Sequence, residues 1–198
     1  RLFRSWRTDL PLQAETSGKN AIIVTPSADL DLAVSDVVRS AFGHAGQKCS
    51  AASIAILVGP VARSRRFAQQ LVDATTSLRV GPASDPLSEV GPLIEPPEGK
   101  LRWALTTLGD GESWLVAPRE LDFGEGDGRY WTPGIRTGVR RGSRFHREEF
   151  FGPVLGIMHA PTLAHAIELQ NAVAYGLTAG LHTQDADDLA MWLERGEA

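Results

Sequence analysis

The sequence predicts an α/β fold in which a mostly parallel, twisted sheet is flanked by helices. Short apolar runs rich in β-branched residues, such as residues 21–24, have the length and composition of buried strands. Between them lie runs with apolar residues at helical spacing, the first from residue 30 to residue 42. Turn residues separate the two kinds of run. Such alternation of strands and helices is typical of parallel sheets.

In the first half of the chain, the pattern predicts strands at 21–24 and 53–58 and helices at 30–42 and 62–78. Residues 25–29 form a turn that supplies N-cap candidates for the first helix. The inner face of the second helix is predicted to carry Phe67, Leu71, Val72 and Leu78. Residues 81–97 are rich in Gly, Pro and Ser, which favours a long surface connection.

In the second half, the pattern predicts strands at 114–116, 154–158 and 177–182 and helices at 100–108, 163–174 and 185–193. Gly176 is the expected C-cap of the helix at 163–174. The acidic, glycine-rich loop 124–128 is interpreted as a solvated turn, because its carboxylates do not keep a calcium-loop spacing. No repeat and no change of composition divides the chain, so residues 1–198 are predicted to form one domain.

Composition excludes several classes of function. Hydrophobic residues make up 42% and charged residues 22%, as in ordinary soluble proteins. A net charge of −4 argues against nucleic acid as a partner, since phosphate binding needs a basic face. No apolar run approaches the roughly 20 residues needed to span a bilayer. A single cysteine cannot form an internal disulfide, so we expect a cytoplasmic protein, with membrane association of a parent enzyme left open.

The stretch from Gly43 to Ser50 contains that single cysteine, Cys49. Its glycines allow backbone conformations closed to other residues and a close approach to a ligand. One interpretation is a thiol nucleophile at the junction of a loop with a strand. The other is a buried cysteine packed as a small hydrophobic residue, which is the commoner fate of a lone Cys. The five histidines show no metal-ligand spacing, so no catalytic metal is expected.

A covalent thioester on Cys49 would have to be released by water, which needs a general base. His44 is near Cys49 in sequence, but nothing else supports a Cys–His pair. Glu15 is the better candidate, because it precedes a small glycine-containing turn and then a buried strand. Taken alone, however, such a glutamate is more often a surface or capping residue.

Three motifs in register resemble the aldehyde dehydrogenase family. Glu-x-x-Gly-Lys, at residues 15–19, is followed 34 residues after its glutamate by the cysteine of Gly-Gln-x-Cys, at residues 46–49. Glu-x-Phe-Gly-Pro, at residues 149–153, is the third. Residues 130–133 and 175–180 also match in order. The resemblance covers essentially the whole chain and implies the catalytic-domain fold of that family.

The sequence at residues 15–20 and 43–51 is similar to that of the 1-pyrroline-5-carboxylate dehydrogenase module of bifunctional bacterial proline-utilisation enzymes. Those enzymes join a flavin-dependent proline dehydrogenase to an NAD-dependent dehydrogenase of L-glutamate γ-semialdehyde. Generic members of the family more often have Leu-Gly-Gly after the base and Asn before Gly-Gln. The departure at both places favours the proline branch. FAD is expected only if the parent chain carries the proline dehydrogenase.

The resemblance implies roles for six residues. Cys49 would be the nucleophile, forming a thiohemiacetal and then a thioester, and Glu15 would activate the hydrolytic water. Glu149 would bind the ribose beside the nicotinamide, and Thr16 and Phe151 would complete the cofactor contacts. Ser50 is a candidate for binding the substrate carboxylate, or equally a cap of the following element.

The same resemblance implies that parts of the enzyme are missing from these 198 residues. The NAD-binding domain would lie upstream, together with the Asn side chain of the oxyanion hole, and a closing and oligomerising segment would lie downstream. We therefore expect a partial catalytic domain that is inactive or nearly so alone, from a parent that is a homo-oligomer. These residues do not decide whether the cofactor is NAD or NADP.

Three alternatives stay open at this point. The parent could be an NAD-dependent dehydrogenase of another aldehyde. The chain could be a non-catalytic α/β scaffold, although a scaffold has no need of Glu15, Cys49 and Glu149 together. It could also be a thiol acyltransferase or esterase that works without NAD.

Overall fold

A computed structural model describes residues 2–11, 17–124 and 128–197 of the chain. Its helices and strands follow in chain order: α1 (Leu2–Trp6), β1 (Asn20–Val24), α2 (Leu30–Phe42), β2 (Ala52–Val58), α3 (Arg65–Thr76), α4 (Gly99–Thr106), β3 (Ser113–Val116), β4 (Glu120–Leu121), β5 (Tyr130–Trp131), β6 (Gly134–Thr137), α5 (Arg144–Arg147), β7 (Val154–Ala160), α6 (Leu163–Asn171), β8 (Ala179–His182) and α7 (Ala186–Arg195). Short 3₁₀ turns span Gly43–Gly46 and Gly59–Arg63.

Six strands form one sheet in the order β3-β6-β7-β2-β1-β8. Every neighbouring pair is parallel except β3 and β6, which are antiparallel. Strands β4 and β5 form a separate antiparallel pair. The mostly parallel α/β fold predicted from the sequence is therefore confirmed.

The sheet is covered on both faces, and its central strands are apolar on both. In β1, Ile23 packs into one hydrophobic cluster, whereas Ile22 and Val24 pack into another on the opposite face. Helices α2 and α3 cover the second cluster, and α6 covers the first. Burial on both faces explains why β1 and β2 appear in the sequence as continuous apolar runs rather than as alternating patterns.

Strand β6 lies inside the sheet but was not predicted. It is only four residues long and contains Arg136, which is fully buried. The Arg136 guanidinium forms an ion pair with Glu112 at 2.8 Å and donates to the carbonyl oxygens of Ala104 and Thr107. A charged residue between Pro133 and Gly138 gives no strand signal, because only the tertiary partners make its burial tolerable.

Several predicted boundaries were wrong. The helix expected at 62–78 begins at Arg65 with Ser64 as its N-cap, because a 3₁₀ turn occupies the preceding residues. The helix expected to reach residue 174 ends at Asn171 with Ala172 as its C-cap, so Gly176 is not the cap. The connection at 81–97 is not wholly superficial, since Val90 and Leu93 are buried in the core.

The loops that precede β1, β2, β7 and β8 all lie at the amino-terminal edge of the sheet, because these strands run parallel in adjacent positions. The helices α2, α6 and α7 begin just past the opposite, carboxyl-terminal edge. Among the described residues, no helix is both long and apolar enough to cross a bilayer.

Candidate active site

Segments far apart in sequence meet at the amino-terminal edge of the sheet. Residues 17–19 lead into β1, residues 47–51 into β2, residues 149–153 into β7, and residues 175–178 into β8. Each of the three motifs that suggested an enzyme has described residues in this group. The sheet therefore brings together residues that lie more than a hundred positions apart in the chain.

The cysteine segment has an unusual backbone. After α2 the chain enters a 3₁₀ turn in which His44, Ala45 and Gly46 all have positive φ angles, of 54°, 55° and 67°. A left-handed conformation is costly for non-glycine residues, so the surrounding structure must hold it in place. A second turn follows, closed by the Ala51 N–H, which donates to the Lys48 carbonyl oxygen at 3.0 Å. Cys49 lies in this turn as an exposed free thiol.

The cysteine segment packs directly against residues 151–152. A Cβ atom on Gly46 would lie 2.3 Å from the Gly152 carbonyl oxygen, so only glycine fits there. The Gln47 side chain bridges the same segments, because its Nε2 donates to the Phe151 carbonyl oxygen at 3.1 Å and its Oε1 accepts from the Ile94 N–H at 2.9 Å. These contacts connect the segment that carries Cys49 to the segment that carries Glu149.

Glu149 is 7% exposed, and its Oε1 accepts a hydrogen bond from the Gly18 N–H at 3.1 Å. The Glu149 N–H in turn donates to the Tyr175 hydroxyl at 3.3 Å. The Lys19 N–H donates to the Tyr175 carbonyl oxygen at 3.1 Å. The predicted cofactor residue Glu149 is thus connected to the loop that follows Glu15.

Lys19 is buried beneath the site and is only 2% exposed. Its Nζ lies 4.4 Å from the centre of the Phe145 ring and 5.4 Å from that of Phe150. Burial, together with the nearby positive charge of Arg136, lowers the pKa of Lys19 to about 7 against the opposing effect of Glu149. No hydrogen-bond partner lies within reach of its Nζ among the described residues.

The predicted general base Glu15 and the cofactor residue Thr16 lie outside the described residues, so their roles stay predictions. Ser50 is exposed beside Cys49, and its carbonyl oxygen accepts from the Thr178 hydroxyl at 3.2 Å. Phe151 is half-buried with a φ of 57°. In the described part of the chain, no side-chain hydrogen bond joins His44 to Cys49, and no cluster of His, Cys, Asp and Glu suited to a metal is found.

Sequence reasoning did not single out three residues that organise this edge. Asn20, Gln47 and Thr178 each hydrogen-bond to the backbone of another segment of the site. All three lie inside the stretches that carry the resemblance, so their position in those motifs was the available signal. Their partners are backbone atoms in distant segments, which a sequence pattern does not show.

The family model described as "Aldehyde dehydrogenase family" matches residues 6–198. The chain belongs to the aldehyde dehydrogenase family. Its similarity extends to a solved structure of Proline Utilization A (PutA) from Corynebacterium freiburgense, at 57% identity and a TM-score of 0.94 over the whole of this chain and 20% of that one. The resemblance found from the motifs is therefore confirmed.

Relatives of this aldehyde dehydrogenase chain include the 1-pyrroline-5-carboxylate dehydrogenase of Bacillus subtilis (strain 168), 38% identical over 87% of this chain and 33% of that protein. A 1-pyrroline-5-carboxylate dehydrogenase from Thermus, solved with bound NAD, is 33% identical with a TM-score of 0.75, over 91% of this chain and 34% of that one. The chain thus spans about a third of the curated relative and a fifth of PutA.

Proposed function

We propose that Cys49 is the nucleophile in the NAD-dependent oxidation of L-glutamate γ-semialdehyde, formed from 1-pyrroline-5-carboxylate, to L-glutamate. The observation that carries the proposal is that described residues of three motifs contact one another around the segment that carries one exposed thiol. Gly18 contacts both the Cys49 carbonyl and the Glu149 carboxylate, and Gly46 packs on Gly152. The similarity to PutA and to 1-pyrroline-5-carboxylate dehydrogenases supports this substrate class.

The chemistry begins at Cys49, whose sulfur attacks the aldehyde carbon as thiolate to form a thiohemiacetal. The Cys49 backbone N–H would donate to the oxygen that becomes negative, as one half of an oxyanion hole. After oxidation to the thioester, Glu15 removes a proton from water, which attacks the acyl carbon. The C–S bond then breaks, glutamate leaves, and the thiol is restored.

NAD, when bound, would supply the hydride acceptor that the oxidation of the thiohemiacetal requires. Residues of this chain fit such a cofactor in their chemistry, because Glu149 offers a carboxylate at this edge of the sheet and ribose hydroxyls are hydrogen-bond donors. Phe151 and Thr16 would contribute further contacts. Bound NAD in the Thermus relative supports this part of the proposal.

The substrate is a carboxylic acid with an aldehyde at its other end, and Ser50 would bind the carboxylate. Other relatives of similar identity support a second candidate in the same chemical class. A protein of Saccharolobus solfataricus called 2,5-dioxopentanoate dehydrogenase is 37% identical over 94% of this chain. Its named substrate also combines a carboxylate with an aldehyde, so another semialdehyde acid is the alternative.

The test measures NADH formation by the full polypeptide that the gene encodes, supplied with NAD and 1-pyrroline-5-carboxylate. We expect Cys49→Ala to abolish turnover and Glu15→Gln to slow it by at least about 10²-fold, as expected for loss of a general base. Ser50→Ala should raise KM for the anionic substrate but not for an uncharged aldehyde of similar length. Equal rates with and without Cys49 would overturn the mechanism.

The alternatives give different results in the same assay. A higher kcat/KM for 2,5-dioxopentanoate than for the glutamate semialdehyde would replace the substrate but keep the mechanism. Cys49-dependent hydrolysis of an activated ester, with no NADH formed from any aldehyde, would favour a thiol esterase. No Cys49-dependent reaction of either kind would favour a scaffold.

A further inference from the structure

The side chain of Asn20 makes four hydrogen bonds at the amino-terminal edge, although it is only 2% exposed. Its Nδ2 donates to the carbonyl oxygens of Cys49 at 2.7 Å and of Ala51 at 3.0 Å. Its Oδ1 accepts from the N–H groups of Leu177 and Thr178, both at 3.0 Å. A buried carboxamide has two donors and two lone pairs at most, so Asn20 uses its full capacity.

Two side chains hold three successive carbonyl groups of residues 48–51, which we call the nucleophile turn. Asn20 binds those of Cys49 and Ala51, and the Thr178 hydroxyl binds that of Ser50 at 3.2 Å. The Cys49 carbonyl oxygen is also in close contact with Gly18, where an added Cβ atom would lie only 2.6 Å away. The turn therefore has little freedom to rotate.

This geometry controls the thiol through the backbone. The Cys49 Cβ and the Cys49 carbonyl carbon are bonded to the same Cα. Holding the carbonyl groups of Cys49, Ser50 and Ala51 therefore also fixes the direction in which the Cys49 side chain leaves the backbone. A displacement of about 1 Å at a reacting atom can cost about 10²-fold in rate. Cys49 itself is exposed, so few packing contacts are available to fix the orientation of its side chain.

We propose that Asn20 is the positioning residue of the Cys49 nucleophile, acting as a clamp between the nucleophile turn and residues 177–178. The inference rests on the proposed function and adds to it a residue that touches neither substrate nor cofactor. A purely structural role is the competing explanation, because any buried asparagine with four hydrogen bonds stabilises the fold.

Thr25 provides a matched control just beyond the other end of β1. It is fully buried, and its hydroxyl interacts with the His182 carbonyl oxygen at 3.2 Å and with the Ser27 hydroxyl at 3.0 Å. It thus anchors β1 to the residues around β8, as Asn20 does, but at the edge remote from Cys49. Thr25→Val should destabilise the protein without moving the nucleophile turn.

The experiment compares Asn20→Ala and Thr25→Val in the full polypeptide that the gene encodes. The first readout is hydrogen exchange at the Ala51 N–H, which closes the nucleophile turn. We expect exchange there to be at least about 10-fold faster in Asn20→Ala and unchanged within about twofold in Thr25→Val, because only the first variant releases this turn. The second readout is turnover: kcat should fall by about 10²-fold in Asn20→Ala, with KM for NAD unchanged within about twofold.

Thr178→Val tests the same clamp at an exposed side chain and keeps the test decisive if Asn20→Ala does not fold. It should accelerate exchange at the Ala51 N–H and lower kcat several-fold, in the same direction as Asn20→Ala. If both variants match Thr25→Val in exchange and in kcat, the positioning role is overturned. If exchange changes as expected but the unmodified protein forms no NADH, the proposed function fails while the clamp on the turn stands.

Discussion

The two edges of the parallel sheet are built by different means. At the carboxyl-terminal edge, the helices that follow the strands begin with N-caps at Asp29, Ser64, Thr162 and Asp185. Side chains join separate segments at both edges, through Thr25 and Ser27 at the carboxyl-terminal edge. Asn20, Gln47 and Thr178 do so at the amino-terminal edge. The non-glycine residues with positive φ in the described ranges, His44, Ala45 and Phe151, all lie at this second edge.

The difference shows where this molecule accepts unfavourable backbone conformations. Residues in the left-handed region cost about 1–2 kcal/mol each and persist only where neighbouring contacts enforce them. In the cysteine segment, the Gly152 backbone packs against Gly46, and the Gln47 side chain binds the Phe151 carbonyl oxygen. We infer that the amino-terminal edge gives up stability for geometry, whereas the carboxyl-terminal edge contributes stability.

The largest difference between the two edges is expected when a glycine at each edge, with a similar φ angle, is replaced by alanine. Gly46 has a φ of 67°, and a Cβ atom there would lie 2.3 Å from the Gly152 carbonyl oxygen. Gly46→Ala should therefore displace the nucleophile turn and lower kcat by about 10²-fold or more. NADH formation and thermal unfolding of the variant check this expectation.

Gly59 is the matched control at the carboxyl-terminal edge. Its φ is 55°, but the nearest atom to an added Cβ is the Pro161 carbonyl oxygen at 3.7 Å. Gly59→Ala should cost only the backbone strain of about 1–2 kcal/mol in the free energy of unfolding, with kcat unchanged. Equal losses of kcat in the two variants would remove the distinction between the edges.

The second prediction concerns the pH dependence of stability, which Lys19 should impose from the amino-terminal edge. Burial lowers its pKa from 10.5 to about 7 in the folded chain. Between these values the unfolded chain holds a proton on Lys19 that the folded chain does not, so the free energy of unfolding increases with pH. The slope should approach about 1.4 kcal/mol per pH unit.

Lys19→Met should remove that slope, because no proton is then bound or released at this position. Urea unfolding of both proteins at intervals from pH 7 to pH 10 measures the difference. Parallel curves for the two proteins would show that Lys19 keeps its proton in the folded state.

A smaller effect is expected at Gln47, whose side chain bonds to Phe151 and Ile94. Gln47→Ala should lower the free energy of unfolding by about 1–2 kcal/mol, because one partly buried and one exposed hydrogen bond are lost, each worth about 1 kcal/mol or less. It should also lower kcat several-fold. Gln47→Glu keeps the acceptor for the Ile94 N–H but loses the donor to the Phe151 carbonyl oxygen. If kcat falls as much in Gln47→Glu as in Gln47→Ala, the hydrogen bond to Phe151 is responsible.

The smallest effect is expected at Asp29, the N-cap of α2, whose Oδ1 accepts from the N–H groups of Asp31 and Leu32 at 3.1 Å. Asp29→Ala should cost about 1 kcal/mol in the free energy of unfolding. The kcat of the folded protein should not change, since α2 keeps its position through its buried face. A fall in kcat larger than twofold would mean that the carboxyl-terminal edge also sets the geometry of the site.

The sequence predicted the central strands and α2 well, because β1 and β2 are apolar on both faces and α2 has a continuous buried stripe. It failed at β6, whose Arg136 is stabilised by Glu112 and by carbonyl groups from other elements. The pattern also placed Gly176 at a helix end, although α6 stops earlier. Local patterns record burial, but they do not record which distant groups satisfy a charge.

The site was predicted in a similarly uneven way. Motif order selected Cys49 and Glu149 as candidates, and both lie at the amino-terminal edge, whereas their roles stay predictions. The bridging roles of Asn20 and Gln47 were not predictable, because each depends on the register between strands and loops distant in sequence.

The hydrogen bonds that define the site also have a consequence for the order of folding. Gly18 and Glu149 are 131 positions apart, and Asn20 and Thr178 are 158 apart. Contacts of such separation form late, after the loops between them have closed. A newly made or refolding chain should therefore regain its helices well before it regains a correctly oriented thiol. Recovery of catalysis would report the final pairing of β8 with β1 rather than the collapse of the core.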